Sequence, residues 1–369
     1  MILTSLIIIC LLSLASDIYL WYRVVRHHAS PWRYLHWLPL CIMALLIVMI
    51  LTGTMFTWMF SLGIYLFLLA CLPCWFHALL TLVRMPKAGL ALRLMLIGVS
   101  LYGITYGWKH LVVVEKEVAC QTLPPSFQGF RIAHISDLHL GTYASHPEIV
   151  DRIVEMVNGA SPDLIVFTGD IVSTSPQELR PFTETLSRLQ APCGIVSILG
   201  NHDYCTYGPR KSASEHKAQL EEVITMQRQM GWNLLMNEHV VLRNDSIAII
   251  GVENDGHPPF PARANLGKAT EGISAGCYKV LLTHDPSHWR RAILSHTDIP
   301  LTLSGHTHAM HLRIGGWSPS ALLFSEWGGL YKENNQYLHV NTGTGSNIPF
   351  RLGAWPEITI ITLTSADAK

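Results

Sequence analysis

Four apolar runs occupy the first 107 residues of this 369-residue chain: Ile2 to Trp21, Trp37 to Phe56, Ser61 to Val83 and Ala88 to Gly107. Each is long enough to cross the hydrocarbon core as a helix, which takes about 20 mostly apolar residues. The only charged side chains before Gly107 are Asp17, Arg23, Arg26, Arg33, Arg84, Lys87 and Arg93. Beyond it, charge, proline and glycine rise to the levels of a soluble globular domain. The expected organisation is therefore a four-span transmembrane module over residues 1–108, a linker over 109–126 and a catalytic domain over 127–369.

Details of the apolar third fit a multi-pass cell-membrane protein whose first partner is the lipid bilayer. The short neutral stretch around Thr57 and Phe60 predicts a tight hairpin between the second and third spans. Trp21, Trp32, Trp37, Trp58 and Trp108 fall near span ends, where an aromatic belt would place them. Arg93 lies about one turn inside the fourth span and can snorkel to the nearer interface, while Asp17 is expected to meet Arg23 or Arg26. A cleaved signal peptide is the rival reading of the first run, with Leu14-Ala15-Ser16 as its cleavage site, but the basic n-region is missing. The basic residues set the orientation. Arg23, Arg26 and Arg33 in one loop and Arg84 and Lys87 in another mark cytoplasmic loops, so the catalytic domain is expected to be extracytoplasmic.

A formal net charge of zero removes the electrostatic basis for nucleic-acid binding, which needs a basic face against the phosphates. From Phe130 onward, short apolar runs alternate with amphipathic stretches in the rhythm of an α/β sheet. Pro147 to Asn158 and Pro176 to Leu189 fit crossover helices, and Ala213 to Met230 fits an amphipathic helix burying Leu220, Val223, Ile224 and Met230. Five apolar runs stop at metal-capable residues. Arg131 to Ser136 leads to Asp137-Leu138-His139, Leu164 to Thr168 to Gly169-Asp170, and Ile195 to Leu199 to Gly200-Asn201-His202-Asp203. Val280 to Thr283 leads to His284, and Leu301 to Ser304 to Gly305-His306-Thr307-His308.

Ligands in open α/β sheets bind at the carboxyl ends of strands, so residues distant in sequence converge on one rim. Two divalent cations about 3.5–4 Å apart can clamp a phosphoryl group and supply a shared hydroxide at neutral pH. Such a pair needs a bridging carboxylate, neutral imidazoles and open coordination positions, and Asp170 is the natural bridge. Glycine before Asp170, Asn201 and His306 lets the backbone turn sharply at the strand ends.

This ordered set resembles the signature of the calcineurin-like metallophosphoesterases. Glu326-Trp327-Gly328-Gly329-Leu330-Tyr331, Pro349-Phe350-Arg351-Leu352-Gly353 and Pro356-Glu357-Ile358-Thr359 are similar to a branch that includes membrane-linked bacterial phosphoesterases. The resemblance implies an α/β sheet sandwich flanked by helices, preceded here by the four-helix transmembrane module that it does not cover. It implies one metal held by Asp137, His139, Asp170 and His308, and a second by Asp170, Asn201, His284 and His306. His202 would face the substrate as acid to the leaving oxygen or as a stabiliser of transition-state charge.

Two positions depart from the family pattern. Ser173 stands where a second acid is common, leaving Asp203 as the candidate carboxylate partner of His202. Ala309 and Met310 follow the second histidine motif where glycines are common. Other residues have ordinary readings: His134 as a hydrogen-bonded core histidine, His311 as an outer support or rim residue, and Asn341 to Asn347 as a rim loop lacking a P-loop lysine. Arg351 is expected to pair with a phosphate oxygen or with Glu357. Cys120, Cys193, Cys205 and Cys277 permit two disulfides, with Cys193–Cys205 the pair that would brace the Asn201 loop.

The function these residues support is metal-dependent hydrolysis of a phosphomonoester or phosphodiester, with a membrane-associated substrate. The donor set suits Mn, Fe or Zn. Two alternatives share the fold: a pyrophosphatase acting on a nucleotide-linked lipid precursor, and a catalytically silent membrane sensor or scaffold. A missing ligand would favour the silent reading, and none is missing. Oligomeric state is left open by the sequence.

Overall fold

The computed structural model describes residues 2–27, 29–51, 57–207, 212–242, 247–256, 260 and 262–365, which form two compact units, Met1–Tyr106 and Gly107–Lys369.

The first unit is helical: α1 (Ile2–Arg23), α2 (Leu38–Leu51), α3 (Thr57–Leu66), α4 (Leu72–Leu82) and α5 (Pro86–Thr105). Among the described residues, four stretches are long and apolar enough to span a membrane: Ile7–His27, Pro31–Met49, Ser61–Leu82 and Pro86–Lys109. The second begins before the expected Trp37, because a 3₁₀ turn over Pro31–Trp37, capped by Ser30 and opened by Pro31, runs straight into α2. Phe56, the expected end of that span, and the link at 52–56 lie outside the described residues, as does the side chain of Trp58. Thr57 to Phe60, read as part of a turn, open α3. A π-helical turn over Phe67–Cys71 joins α3 to α4. Polar side chains tie these helices together, with Trp75 Nε1 donating to Ser13 Oγ at 3.1 Å and Ser100 Oγ to Leu68 O at 3.3 Å. Asp17 is buried beside His36, whose Nε2 stands 3.6 Å from its Oδ1, so a local histidine takes the place expected of Arg23 or Arg26.

The second unit carries β1 (Val112–Cys120), β2 (Arg131–Ile135), α6 (Pro147–Gly159), β3 (Leu164–Phe167), α7 (Thr183–Leu186), β4 (Ile195–Ser197), α8 (Ala213–Gln229), β5 (Asn233–Leu234), β6 (Glu238–Leu242) and β7 (Ile247–Gly251). It continues through α9 (Leu266–Thr270), β8 (Tyr278–Leu282), β9 (Leu301–Ser304), β10 (Gly329–Glu333), β11 (Gln336–Val340) and β12 (Glu357–Ser365). Two six-stranded mixed sheets result, in the orders β1-β12-β2-β3-β4-β5 and β10-β11-β9-β8-β7-β6. Their inner faces share one apolar layer, in which Ile132, Leu164, Val166 and Ile361 meet Ile249, Val280, Leu282 and Leu303. Continuous apolar runs such as Leu164–Phe167 are fully buried, as strands covered on both faces must be. On the outer face of the first sheet lies α6, whose Ile149, Val150, Ile153, Val154 and Val157 form a helical stripe against the core.

Two sequence expectations change. The segment 109–126 is not a linker, since β1 pairs in parallel with β12 from Val112↔Glu357 to Cys120↔Ser365. Its alternating exposed charges, Glu115 and Glu117, disguise an edge strand as a tether. The expected helix over Pro176 to Leu189 breaks into two 3₁₀ turns and the four-residue α7, because Pro181 interrupts the backbone ladder. By contrast, α8 forms as expected, with a Ser212–Glu215 capping box.

Candidate metal centre

Every expected ligand follows a central strand at its carboxyl end: Asp137 and His139 follow β2, Asp170 follows β3, Asn201 and His202 follow β4, His284 follows β8, and His306 and His308 follow β9. The turns are tight. Asp137, His139, Asp170, His306 and His308 have φ of 54°, 45°, 61°, 75° and 49°, a left-handed backbone that carries strain of about 1 kcal/mol or more per residue. A Cβ on Gly200 would stand 2.2 Å from Asp170 Oδ1, and one on Gly305 would stand 2.2 Å from Asp137 Oδ2, so only glycine lets the loops approach this closely.

The side chains gather as two triads, Asp137–His139–His308 and Asp170–His284–His306. In the first, His139 Nε2 lies 3.1 Å from His308 Nε2, and His308 Nε2 lies 3.3 Å from Asp137 Oδ1. In the second, His284 Nε2 lies 3.1 Å from Asp170 Oδ2 and 3.3 Å from His306 Nδ1. Asp170 Oδ2 also stands 3.7 Å from His139 Nε2, which links the triads. Donors sharing one divalent cation at about 2.0–2.2 Å are about 3.0–3.5 Å apart, so this spacing fits a pair of cations. Asn201 adds an independent sign. Its Nδ2 donates to Tyr207 Oη at 3.1 Å, while its Oδ1 is buried with no hydrogen-bond partner. A buried amide oxygen left unpaired costs about 1–3 kcal/mol unless a ligand takes it up.

Outer contacts orient the rings. His284 Nδ1 donates to Thr168 O at 2.7 Å and His139 Nδ1 stands 3.1 Å from Ser173 Oγ, so Nε2 of each faces the centre. Asp137 accepts from Ser136 Oγ at 2.5 Å and from the His306 backbone N–H. Phe260 and Phe324 stand edge-on to His306, at 4.9 and 5.5 Å between ring centres. Burial and neighbouring imidazoles hold His139 and His308 well below the ordinary histidine range. His284 goes the other way. Burial lowers it, but Asp170 and Asp137 prevail and raise it to about 10. Burial raises Asp170, and the imidazoles of His284, His202 and His139 more than reverse this. Burial pushes Asp137 up to about 6. A cation requires ionised carboxylates and neutral imidazoles, so binding one would displace the proton that Asp170 and Asp137 hold on His284.

Several outer residues differ from their sequence readings. Asp203 does not orient His202. Its carboxylate accepts from the backbone N–H groups of Asp170, Ile171 and Gly200, each at 2.8 Å, and so holds the two ligand loops together. The carbonyl of Ser173 takes the place expected of Asp203, accepting from His202 Nδ1 at 2.7 Å. Arg351 is fully buried. It donates to Ala354 O and Gly343 O and lies 3.1 Å from His308 Nδ1, bracing the Asn341–Asn347 rim loop and pairing with neither Glu357 nor an open phosphate position. That loop closes the rim through Thr344 N–H to Ser136 O and Gly345 N–H to Asp137 O. His134 is a core histidine bonded to His339 and Thr168, and His311 stacks on His308 at 5.2 Å. Among the described residues the eight cysteines form no disulfide, so Cys193 and Cys205 are not bridged. Sequence reasoning missed Tyr207, the two phenylalanines and Asp285, whose Oδ2 lies 3.9 Å from His306 Nε2, because no local motif marks them.

A model of the calcineurin-like phosphoesterase family matches residues 130–310. A zebrafish (Danio rerio) transmembrane protein with a metallophosphoesterase domain is 32% identical over 72% of this chain and 60% of its own length. The chain thus spans about 60% of that relative. An uncharacterized metallophosphoesterase of Bacillus subtilis is 29% identical over 70% of this chain and 87% of its own. The UDP-2,3-diacylglucosamine pyrophosphatase LpxG of Chlamydia trachomatis is 25% identical over 65% of this chain and 86% of its own.

Proposed function

The chain belongs to the calcineurin-like phosphoesterase family, and on that premise we propose that it hydrolyses a phosphate ester presented at a membrane, using two divalent cations. The observation that carries this is the pair of triads joined through Asp170, with the unpartnered Asn201 oxygen beside them. Asp137, His139, Asp170 and His308 would hold one cation, and Asp170, Asn201, His284 and His306 the other. When bound, the cations supply positive charge against the phosphoryl oxygens and make a nucleophilic water available at neutral pH.

His202 supplies the proton chemistry. Its backbone N–H donates to Asp170 Oδ1 at 2.8 Å, and its Nδ1 is committed to the Ser173 carbonyl. Tyr207 packs against the ring at 4.3 Å between centres. Nε2 is thereby left to give a proton to the leaving oxygen.

The similarity to LpxG favours a second reading, in which the bond broken is the pyrophosphate of a nucleotide-linked lipid. The same ligands serve both readings, and the leaving group differs. Metal analysis of the purified full chain, coupled to hydrolysis of soluble phosphodiesters, phospholipids and lipid-linked pyrophosphates, tests them together. About two cations per chain and turnover abolished by Asp170→Asn are expected. Absence of bound metal, or full activity in Asp170→Asn, overturns the proposal. Preferential cleavage of the lipid-linked pyrophosphate selects the second reading.

A further inference from the structure

Among the described residues of the catalytic unit, six large apolar side chains are exposed, and five of them, Met310, Ile314, Trp317, Leu322 and Leu323, lie within one segment. Leu322 is 78% exposed and Ile314 65%. Scattered apolar residues on a surface need no explanation, but a cluster of this kind marks an interaction face.

The segment is built, not loose. Ile314 and Trp317 exchange backbone hydrogen bonds at 2.9 and 3.2 Å across the Gly315–Gly316 turn, so their side chains share one face. Ser318 Oγ donates to Ala309 O at 2.6 Å and Ser320 Oγ to Thr307 O, which pins the following 3₁₀ turn, Pro319–Leu322, to the histidine motif. No acidic residue occurs between His306 and Ser325, and Arg313 is the one non-histidine cation there.

Its position in the unit identifies the occupant. Leu312 bridges to Leu352, and Arg313 N–H donates to Leu352 O at 2.9 Å. The neighbouring Arg351 carbonyl is where the chain enters the unit, since a Cβ on Gly107 would fall 1.9 Å from that oxygen. The last apolar helix ends at Thr105. The apolar lobe, the point where the chain enters the unit and, through Arg351 and His308, the metal centre therefore meet on residues 351–352.

We propose that the lobe over residues 310–323 seats in the headgroup–acyl boundary of the bilayer and holds the mouth of the metal centre at the depth of a lipid phosphate. Apolar side chains inserted beside a basic residue bind interfaces through buried area and attraction to anionic headgroups, and Trp317 suits that boundary. The lipid contact stands on the lobe alone; the assignment of an amphiphilic substrate rests on the proposed phosphoesterase function.

The test uses the full chain in nanodiscs of phosphatidylcholine and phosphatidylglycerol, with a photoreactive benzophenone amino acid replacing Leu322 or, as a control, the exposed Glu155 on α6. Irradiation is expected to give phospholipid adducts at 322 and none at 155. Absence of lipid adducts at 322, or cross-links from it to protein, overturns the proposal. In the same nanodiscs, Ile314→Ser with Leu322→Ser should lower hydrolysis of a bilayer-resident phosphate ester about tenfold and leave a soluble phosphodiester within about twofold. An equal loss on both esters overturns the delivery role. If the parent protein cleaves neither ester, the phosphoesterase reading fails, and the adducts alone decide the lipid contact.

Discussion

His202 and Asp203 are adjacent in sequence and do different work. Asp203 is a scaffold: burial raises its carboxyl to about 7, against the pull of the backbone N–H groups it accepts from. His202 touches neither triad through its ring nitrogens. His202→Ala is therefore expected to keep its metal content and lose about 10²- to 10⁴-fold in turnover, the usual contribution of a general acid. Metal analysis beside steady-state rates checks this, and loss of metal would move His202 into the ligand set. A second prediction concerns the buried pair His134 and His339, whose Nδ1 atoms lie 3.0 Å apart. Burial holds both below the ordinary histidine range, His339 at about 3. Below pH about 6.5 the unfolded chain binds protons that the folded chain refuses, so stability falls as pH drops from about 6.5 toward 3. Each such histidine contributes a slope of about 1.4 kcal/mol per pH unit. Thermal unfolding of His339→Gln should show a shallower acid loss than the parent, and an unchanged slope would refute the assignment.

At the scale of elements, β1 decides where the catalytic unit begins. Its whole length pairs with β12, which in turn lies antiparallel to β2, the strand that delivers Asp137. Removing residues before 127 would bare the long edge of β12 and uncover Val118 and Cys120, which are buried in the layer between the sheets. A fragment starting at Gly107 should fold and unfold cooperatively, whereas one starting at Phe127 should aggregate or lose several kcal/mol of stability. Circular dichroism melts of the two fragments make the comparison, and equal melting would show that β1 is dispensable.

For the whole molecule, the prediction concerns the side of the bilayer on which the candidate metal centre lies. Arg23, Arg26 and Arg33 in one loop and Arg84 and Lys87 in another favour a cytoplasmic position for both loops. With four spans the chain returns to its starting side, and the catalytic unit then lies outside the cytoplasm. Cleavage after the first span would leave three and reverse this. A reporter active only outside the cytoplasm, fused after Lys369, is expected to be active. Silence there, with a working cytoplasmic reporter at the same place, refutes the orientation.

The candidate ligand positions and the candidate spans were legible because each is a local pattern. A glycine and a metal-capable residue after an apolar run mark a strand end, and about 20 apolar residues mark a span, whatever lies elsewhere in the chain. Tertiary structure decided what depends on residues meeting across the fold. The Ser173 carbonyl behind His202, the Asp203 cradle under Asp170, Arg351 beneath His308 and the pairing of β1 with β12 join positions 29 to 245 residues apart or replace a side-chain partner with a backbone one. Side-chain patterns carry no record of which carbonyl will be near, because backbone groups are the same at every position until packing chooses among them.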